Sequence, residues 1–464
     1  MIIISNYYFM KKIGLGFVCF LFACSGYSQN EDSVMVKKIV DEVLVNATAY
    51  SNLRMLSKQV GHRLSGSDRY LKAVKFTRQM LKEAGADTVY LQKCMVPHWV
   101  RGDKEKGAII LSDGGKISLH LSALGNSVGT TAKGVSAKVI EIRGMAELQE
   151  RAVEIKGNIV FFNFRMNPTY INTFKAYSES GVSRVRGPSL AAKYGAIGAL
   201  VRSLAINLND VPHTGVTVYN DSFPKIPAVA ISTNDAEFLS KELKKNNVKG
   251  VWFSADCKML PDAIGYNVVG EIKGSEFPKE IISVGGHLDS WDVGEGANDD
   301  GSGITQSIEV IRVLKALNLK PKRTVRAVLF ANEENGGRGA DAYLDNAKKN
   351  NEKHIFAMES DAGGFTPRAF GINATKEKMD KILGWKNLFY PYGIYEFSKG
   401  GGGADIGPLK EIGATLVGLS PDSQRYFDIH HAATDVFENV SERELNLGAA
   451  NMAALIYLVS EYGM

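Results

Sequence analysis

Four short stretches in the second half of this 464-residue chain carry residues able to do chemistry. They are Gly286-His287-Leu288-Asp289 running into Asn298-Asp299-Asp300-Gly301, then Ala331-Asn332-Glu333-Glu334, then Glu359-Ser360-Asp361, and last His430-His431. Imidazole nitrogens and carboxylate oxygens are donors that zinc takes, and a catalytic zinc keeps one position open for water. His287, Asp299, Glu334, Asp361 and His431 supply five such donors, enough for two ions if one carboxylate bridges. Glu333 and Glu334 are adjacent and point in different directions, so one can bind metal while the other reaches an activated water. Two metals ~3.5–4 Å apart bring a shared water towards a pKa of ~7, where a neighbouring carboxylate can take its proton. Asp289, two residues past His287, is placed to accept the other imidazole N–H and orient the ring. The chemistry expected is hydrolysis of a carbonyl polarised by zinc.

Each signal is weak alone. Asp-Asp-Gly is usually a turn or a helix cap, Glu-Glu is usually a solvated surface, and a histidine pair is more often surface or core than ligand. What lifts the set is position: each acidic signal directly follows an apolar run that reads as a strand, with histidines at both ends.

The elements that must hold these residues begin near Tyr266. Strands are expected at 266–272, 280–284, 324–330 and 354–359, with helices at 302–317 and 339–349 between them. Alternating strands and helices imply a largely parallel sheet covered on both faces, and ligands of such sheets collect past the carboxyl ends of the strands. His287, Glu333 and Asp361 fall there. The glycine-rich turn 293–297 lets the chain reverse and brings Asp299, at the start of a helix, beside His287.

Upstream, apolar spacing from Ser33 to Ala84 is helical, with a turn-rich break at 61–68 and Asp68 able to cap the second helix. Strands are expected at 89–91 and 108–111. The texture changes at Asp113-Gly114-Gly115 and again at Pro261-Asp262. Between them lie a strand at 158–162, a helix from Gly187 to Ala205, a strand at 226–231 and a helix at 234–244. That region holds no acid-rich constellation and reads as an inserted domain. The organisation expected is a leader over 1–28, a catalytic domain in two parts, 29–112 and 261–464, and an insert over 113–260.

With 45% hydrophobic and 23% charged residues the composition is that of a folded globular protein. Net charge is +5, or +3 without Lys11 and Lys12, too weak to imply a nucleic-acid or membrane footprint. Those lysines precede about twelve apolar residues, 13–24, and a small polar stretch, the layout of a secretory signal peptide. Cleavage near Ser28 and export to the medium, periplasm or cell envelope are expected. The rivals are lipid attachment at Cys24, since Leu21-Phe22-Ala23-Cys24 approximates a lipoprotein box, and a buried N-terminal helix. Cleavage would leave Cys94 and Cys257, whose pairing the sequence leaves open. Gly294-Glu295-Gly296 lacks the third glycine of a dinucleotide fingerprint, the Gly400–Gly403 run lacks the rest of a phosphate loop, and Ser65 lacks a nucleophile elbow.

At these residues the chain resembles the di-zinc exopeptidases that include bacterial leucyl aminopeptidase and glutamate carboxypeptidase. The stretches that carry the resemblance are Arg63-Leu-Ser-Gly-Ser67, Pro97-His-Trp99, Pro212-His-Thr-Gly215, Lys225-Ile-Pro227, the run 286–294, and Tyr426-Phe427 before His430-His431. The resemblance implies a three-layer α/β/α domain with a mixed, largely parallel sheet and an inserted protease-associated domain. It implies that His287 and Asp361 hold one zinc, Glu334 and His431 the other, that Asp299 bridges, and that Glu333 is the general base. The ligand four residues before Asp435 favours His431 over His430. A cis peptide between Asp299 and Asp300, a peptide substrate and a homodimer are further implications. Where many members carry Ser-Asp-His after a glycine run, this chain has Ala404-Asp405-Ile406, so a substrate role for that histidine is absent. Two rivals remain: a single-zinc glutaminyl cyclase, and an inactive receptor-like ectodomain on the same fold.

Overall fold

A computed structural model describes residues 31–464. The leader expected over 1–28, with its alternative at Cys24, lies outside the described residues. Short apolar runs such as 281–284 and 325–330 are buried along their length, as strands covered on two faces must be. They belong to an eight-stranded sheet made of β1 (Thr88–Val100), β2 (Lys258–Ile272), β3 (Phe277–His287), β4 (Arg323–Phe330), β5 (Lys353–Ser360), β6 (Pro367–Asn373), β7 (Glu396–Lys399) and β8 (Thr415–Pro421). Their order is β1-β2-β4-β3-β5-β8-β6-β7. The four central strands β4, β3, β5 and β8 are parallel. On the flanks, β1, β2 and β6 join antiparallel, and β7 pairs parallel with β6. The sheet is thus of the mixed α/β class expected, with its parallel part at the centre.

Alternation along β4 assigns the two faces. Val325, Ala327 and Leu329 pack with the helices 31–46, Asp68–Glu83, Gly303–Ala316 and Glu442–Tyr462. Val328 and Phe330 turn the other way, against Ala340, Tyr343 and Leu344 of the helix Arg338–Lys349. Period-two burial therefore builds three layers. Each fully buried Leu, Ile or Phe contributes roughly 1.5–3 kcal/mol to holding them together. The helix Asp68–Glu83 is capped by Ser67, whose Oγ accepts from Tyr70 N at 3.1 Å, rather than by Asp68, which is its first residue.

Between β1 and β2 the chain forms two further sheets. One pairs Lys116–Ser118, Lys106–Leu111, Val248–Ser254 and Val135–Ala137, in that order; the other pairs Leu121–Ala123, Ala228–Ile231, Gly198–Arg202, Ile159–Phe162 and Val139–Ile142. Since Lys106–Leu111 pairs with Val248–Ser254, the hydrogen bonding of this region begins ahead of residue 113. The helix expected from Gly187 to Ala205 ends at Lys193. Gly195 turns the chain at φ +83°, and Gly198–Arg202 is a strand between two parallel neighbours. Its apolar run has no helical period, so burial in a sheet wins. Cys94 and Cys257 are both buried and free. Among the described residues no helix is long and apolar enough to cross a membrane.

Candidate metal centre

The four parallel strands end on the same edge of the sheet, and the residues singled out above converge there. β3 ends on His287, β4 leads into Glu333 and Glu334, β5 leads into Asp361, and the segment after β8 carries His430 and His431. Asp299 comes from the turn Ala297–Ser302 that opens the helix Gly303–Ala316, and its peptide bond to Asp300 is cis.

Asp299 faces two groups, one with each carboxylate oxygen. Its Oδ1 lies 3.1 Å from His287 Nε2, which is itself 3.3 Å from Asp361 Oδ1. Its Oδ2 lies 3.2 Å from His431 Nε2, which is 3.1 Å from Glu334 Oε2. Ligands on a tetrahedral zinc at bond lengths of ~2.0–2.1 Å sit ~3.3 Å from one another. The spacing of both groups therefore fits zinc.

Charge makes the same case. Burial alone would lower both imidazoles, yet Asp299 and Asp361 raise His287 well above its usual range, and Glu334 with Asp299 raises His431 to about 10. Burial, then the Asp299 charge, raises Glu334 to about 7. Burial also pushes Glu333 well up, with Asp361, Glu334 and Asp299 acting in the same direction against the pull of His287. So many carboxylates in one buried place call for a cation, whose charge reverses these shifts.

His430 is the competing donor, since its ring also stands near Asp299 and His431. Its Nε2 is 3.8 Å from Asp299 Oδ2, and its ring stacks on His431 with centroids 3.6 Å apart. Tyr177, Tyr426 and Phe427 surround it, and burial holds it well below its usual pKa, as a neutral ring. The shorter contacts favour Glu334 and His431 as the pair.

The support of the site differs from expectation at Asp289. His287 Nδ1 lies 3.0 Å from the backbone carbonyl of Asp289, whereas the Asp289 carboxylate is 3.9 Å away. That carboxylate instead accepts from the backbone N–H of Glu333 at 3.0 Å and of Glu334 at 3.3 Å, and from Ser65 Oγ at 3.1 Å. Asp289 positions the glutamates, and its main chain orients the imidazole.

Several residues that the sequence placed in marked stretches without a role act as supports. Asp300 accepts from His287 N at 3.0 Å and from Gly303 N at 2.9 Å, tying the strand end to the helix start. This needs glycine at 286 and 303, where a Cβ would stand 2.1 Å from Asp300 Oδ2 and 1.8 Å from Ser360 O. Asp435 accepts from Asn298 N at 2.8 Å and Asp299 N at 3.2 Å. The buried Arg63 donates to the carbonyls of Leu288, Glu295 and Gly296 and so fixes the turn between His287 and Asp299. Glu295 pairs with Lys58 and accepts from Phe437 N. The region between β1 and β2 takes part too: Thr214 N donates to His431 O at 2.9 Å, His213 bridges to Ala432, and His431 is held at φ +59°.

Comparison with known proteins agrees with this geometry. The model of peptidase family M28 matches residues 267–456, and the chain is 36% identical to carboxypeptidase Q of Mus musculus over 89% of its length and 86% of that protein. The chain belongs to peptidase family M28. It is a zinc-dependent metallopeptidase, as the resemblance implied. A peptidase M28 precursor from Shewanella amazonensis SB2B superposes with a TM-score of 0.88 at 29% identity, covering 93% of this chain and 97% of that one. The zinc aminopeptidase BSAP from Bacillus subtilis shares the fold, with a TM-score of 0.64 at 20% identity over 89% and 94% of the two chains.

Proposed function

We propose that the protein is an exported di-zinc exopeptidase that hydrolyses dipeptides or short peptides. The observation that carries this is the pair of Asp299 oxygens, each turned to a separate imidazole and carboxylate. On this reading His287 and Asp361 would hold one ion, Glu334 and His431 the other, and Asp299 would serve both. Zinc bound there would supply Lewis-acid polarisation of the scissile carbonyl and a water of pKa ~7.

The chain's own residues do the rest. Glu333 is held by its backbone N–H on Asp289, and its carboxylate takes the proton of the attacking water. It then returns that proton to the leaving amine, and the peptide C–N bond breaks to give a carboxylate and an amine. Asp289 and Asp435 hold Glu333, Glu334 and Asp299 by backbone N–H groups, so the acidic side chains stay free for metal and water. The region between β1 and β2 serves as the protease-associated domain that narrows the cleft, and the active form is a homodimer; both follow from the family resemblance. Export rests on the signal-like pattern of residues 11–29.

Glu333→Gln tests the reading. Turnover of a dipeptide panel should fall by roughly 10²–10⁴-fold while two zinc ions per chain remain. Unchanged turnover removes Glu333 from its role.

A further inference from the structure

Two adjacent imidazoles stand beside one carboxylate oxygen, and the metal centre described above uses only one of them. Successive side chains of an extended chain point to opposite sides. His431 instead has a left-handed backbone, φ +59°, and its ring lies stacked on that of His430 with the planes 21° apart. Both Nε2 atoms lie by Asp299 Oδ2, that of His431 at 3.2 Å and that of His430 at 3.8 Å. The oxygen is buried and has no well-directed hydrogen bond. The His430 ring is also without one: its residue is 6% exposed, Nδ1 has no partner, and 3.8 Å from Nε2 to Asp299 is beyond hydrogen-bond reach. A buried polar ring left unpaired needs an ion, a water or a function to account for it.

Donors on one tetrahedral zinc sit ~3.3 Å apart, so a shift of about 0.5 Å brings His430 into the set. Tyr177, Tyr426 and Phe427 hold the ring by packing alone, which leaves that shift open. His431, meanwhile, has the poorer support of the two imidazoles assigned to metal. A metal-bound histidine normally gives its other ring N–H to a carbonyl or carboxylate, and His287 Nδ1 has the carbonyl of Asp289 for this at 3.0 Å. Behind His431 Nδ1 stands Arg184 Nη1 at 3.4 Å, a group that only donates. A ligand held in that way is the first to open.

We propose that His430 is a reserve ligand for the Glu334-side zinc, binding it through Nε2 whenever His431 lets go. This rests on the di-zinc reading and adds a residue to it. The two rings take turns. Bound together, they would with Glu334 and Asp299 close all four positions of a tetrahedral ion and leave none for water.

The test counts zinc on the full chain for wild type, His431→Gly, His430→Phe and the double variant. Glycine suits the left-handed backbone at 431, phenylalanine suits the aromatic surroundings of 430, and the His287-side ion reports on folding in each. At saturating zinc His431→Gly should keep two ions per chain, with zinc-edge anomalous data placing the second ~2.0–2.1 Å from His430 Nε2. The double variant should keep one. With His431 in place, His430→Phe should release its second ion to a chelator roughly tenfold faster than wild type, because each opening of His431 then frees it. A His431→Gly chain that holds one ion while wild type holds two overturns the inference and leaves the di-zinc reading standing. So does a second ion in that variant that His430 does not touch, or an unchanged release rate in His430→Phe. A wild type that binds a single ion overturns the di-zinc reading and this inference with it.

Discussion

Replacing Asp289 by Asn probes the division of labour at the site. The carboxylate is fully buried and accepts three hydrogen bonds, from Glu333 N, Glu334 N and Ser65 Oγ. Asn keeps the shape and one acceptor oxygen, but turns an NH2 group towards one of those donors. One buried backbone N–H is then left unpaired, at a cost of about 1–3 kcal/mol. The Glu333-Glu334 backbone shifts to relieve it, and displacements near 1 Å in a catalytic group lower rates by roughly 10²-fold. The carbonyl that faces His287 Nδ1 belongs to the main chain and survives the substitution. Asp289→Asn should therefore lower kcat by about 10²-fold and lower the denaturation midpoint, with the zinc on the His287 and Asp361 side retained. Dipeptide kinetics, metal counting and a denaturant titration on the same preparation check all three. Loss of the His287-side zinc would instead put the carboxylate, not the carbonyl, in charge of the imidazole.

Other substitutions follow from the same contacts. Arg63→Met strips the donors from two buried carbonyls and a half-buried third and should destabilise by several kcal/mol in a urea titration, with the turn 288–296 the first segment to exchange its amides. Gly125→Ala would place a Cβ 1.8 Å from the Trp291 ring; because Trp291 N donates to Glu334 Oε1 at 3.2 Å and its ring lies beside His431, activity should fall at least tenfold. Unchanged kinetics in that variant would dissociate Trp291 from Glu334. Burial would raise Glu352, but hydrogen bonds from His354 and Arg326 outweigh it and hold the carboxyl at about 2, below its ordinary 4.5. A depressed carboxyl stabilises the fold fully above pH 4.5 and loses that contribution as pH falls towards 2. Glu352→Gln should therefore be less stable than wild type at neutral pH, and the gap should close below pH 4.5.

Much of the sheet and the donor set was legible because both depend on local pattern. An apolar run followed at once by His287, Glu334 or Asp361 states a strand and the end of that strand in one reading. What failed depends on contacts distant in sequence or on one torsion. A residue two positions past His287 can offer its carbonyl or its carboxylate, and spacing alone does not choose; the glutamate N–H groups 44 and 45 residues away claim the carboxylate of Asp289. Asp435 reaches back 137 residues to Asn298, and Arg63 reaches forward to a turn more than 220 residues on. Neither distance leaves a periodic trace. The run 198–202 departs from the expected helix because Ala199, Leu200 and Val201 are consecutive and carry no helical period, and the chain turns at Gly195.

If two zinc ions share Asp299, a crystal structure of the zinc-loaded protein with anomalous data at the zinc edge will show two peaks ~3.5–4 Å apart, one against His287 and Asp361 and the other against Glu334 and His431, with one Asp299 oxygen on each. A single peak, or a second ion held by His430 in place of His431, would rule that arrangement out.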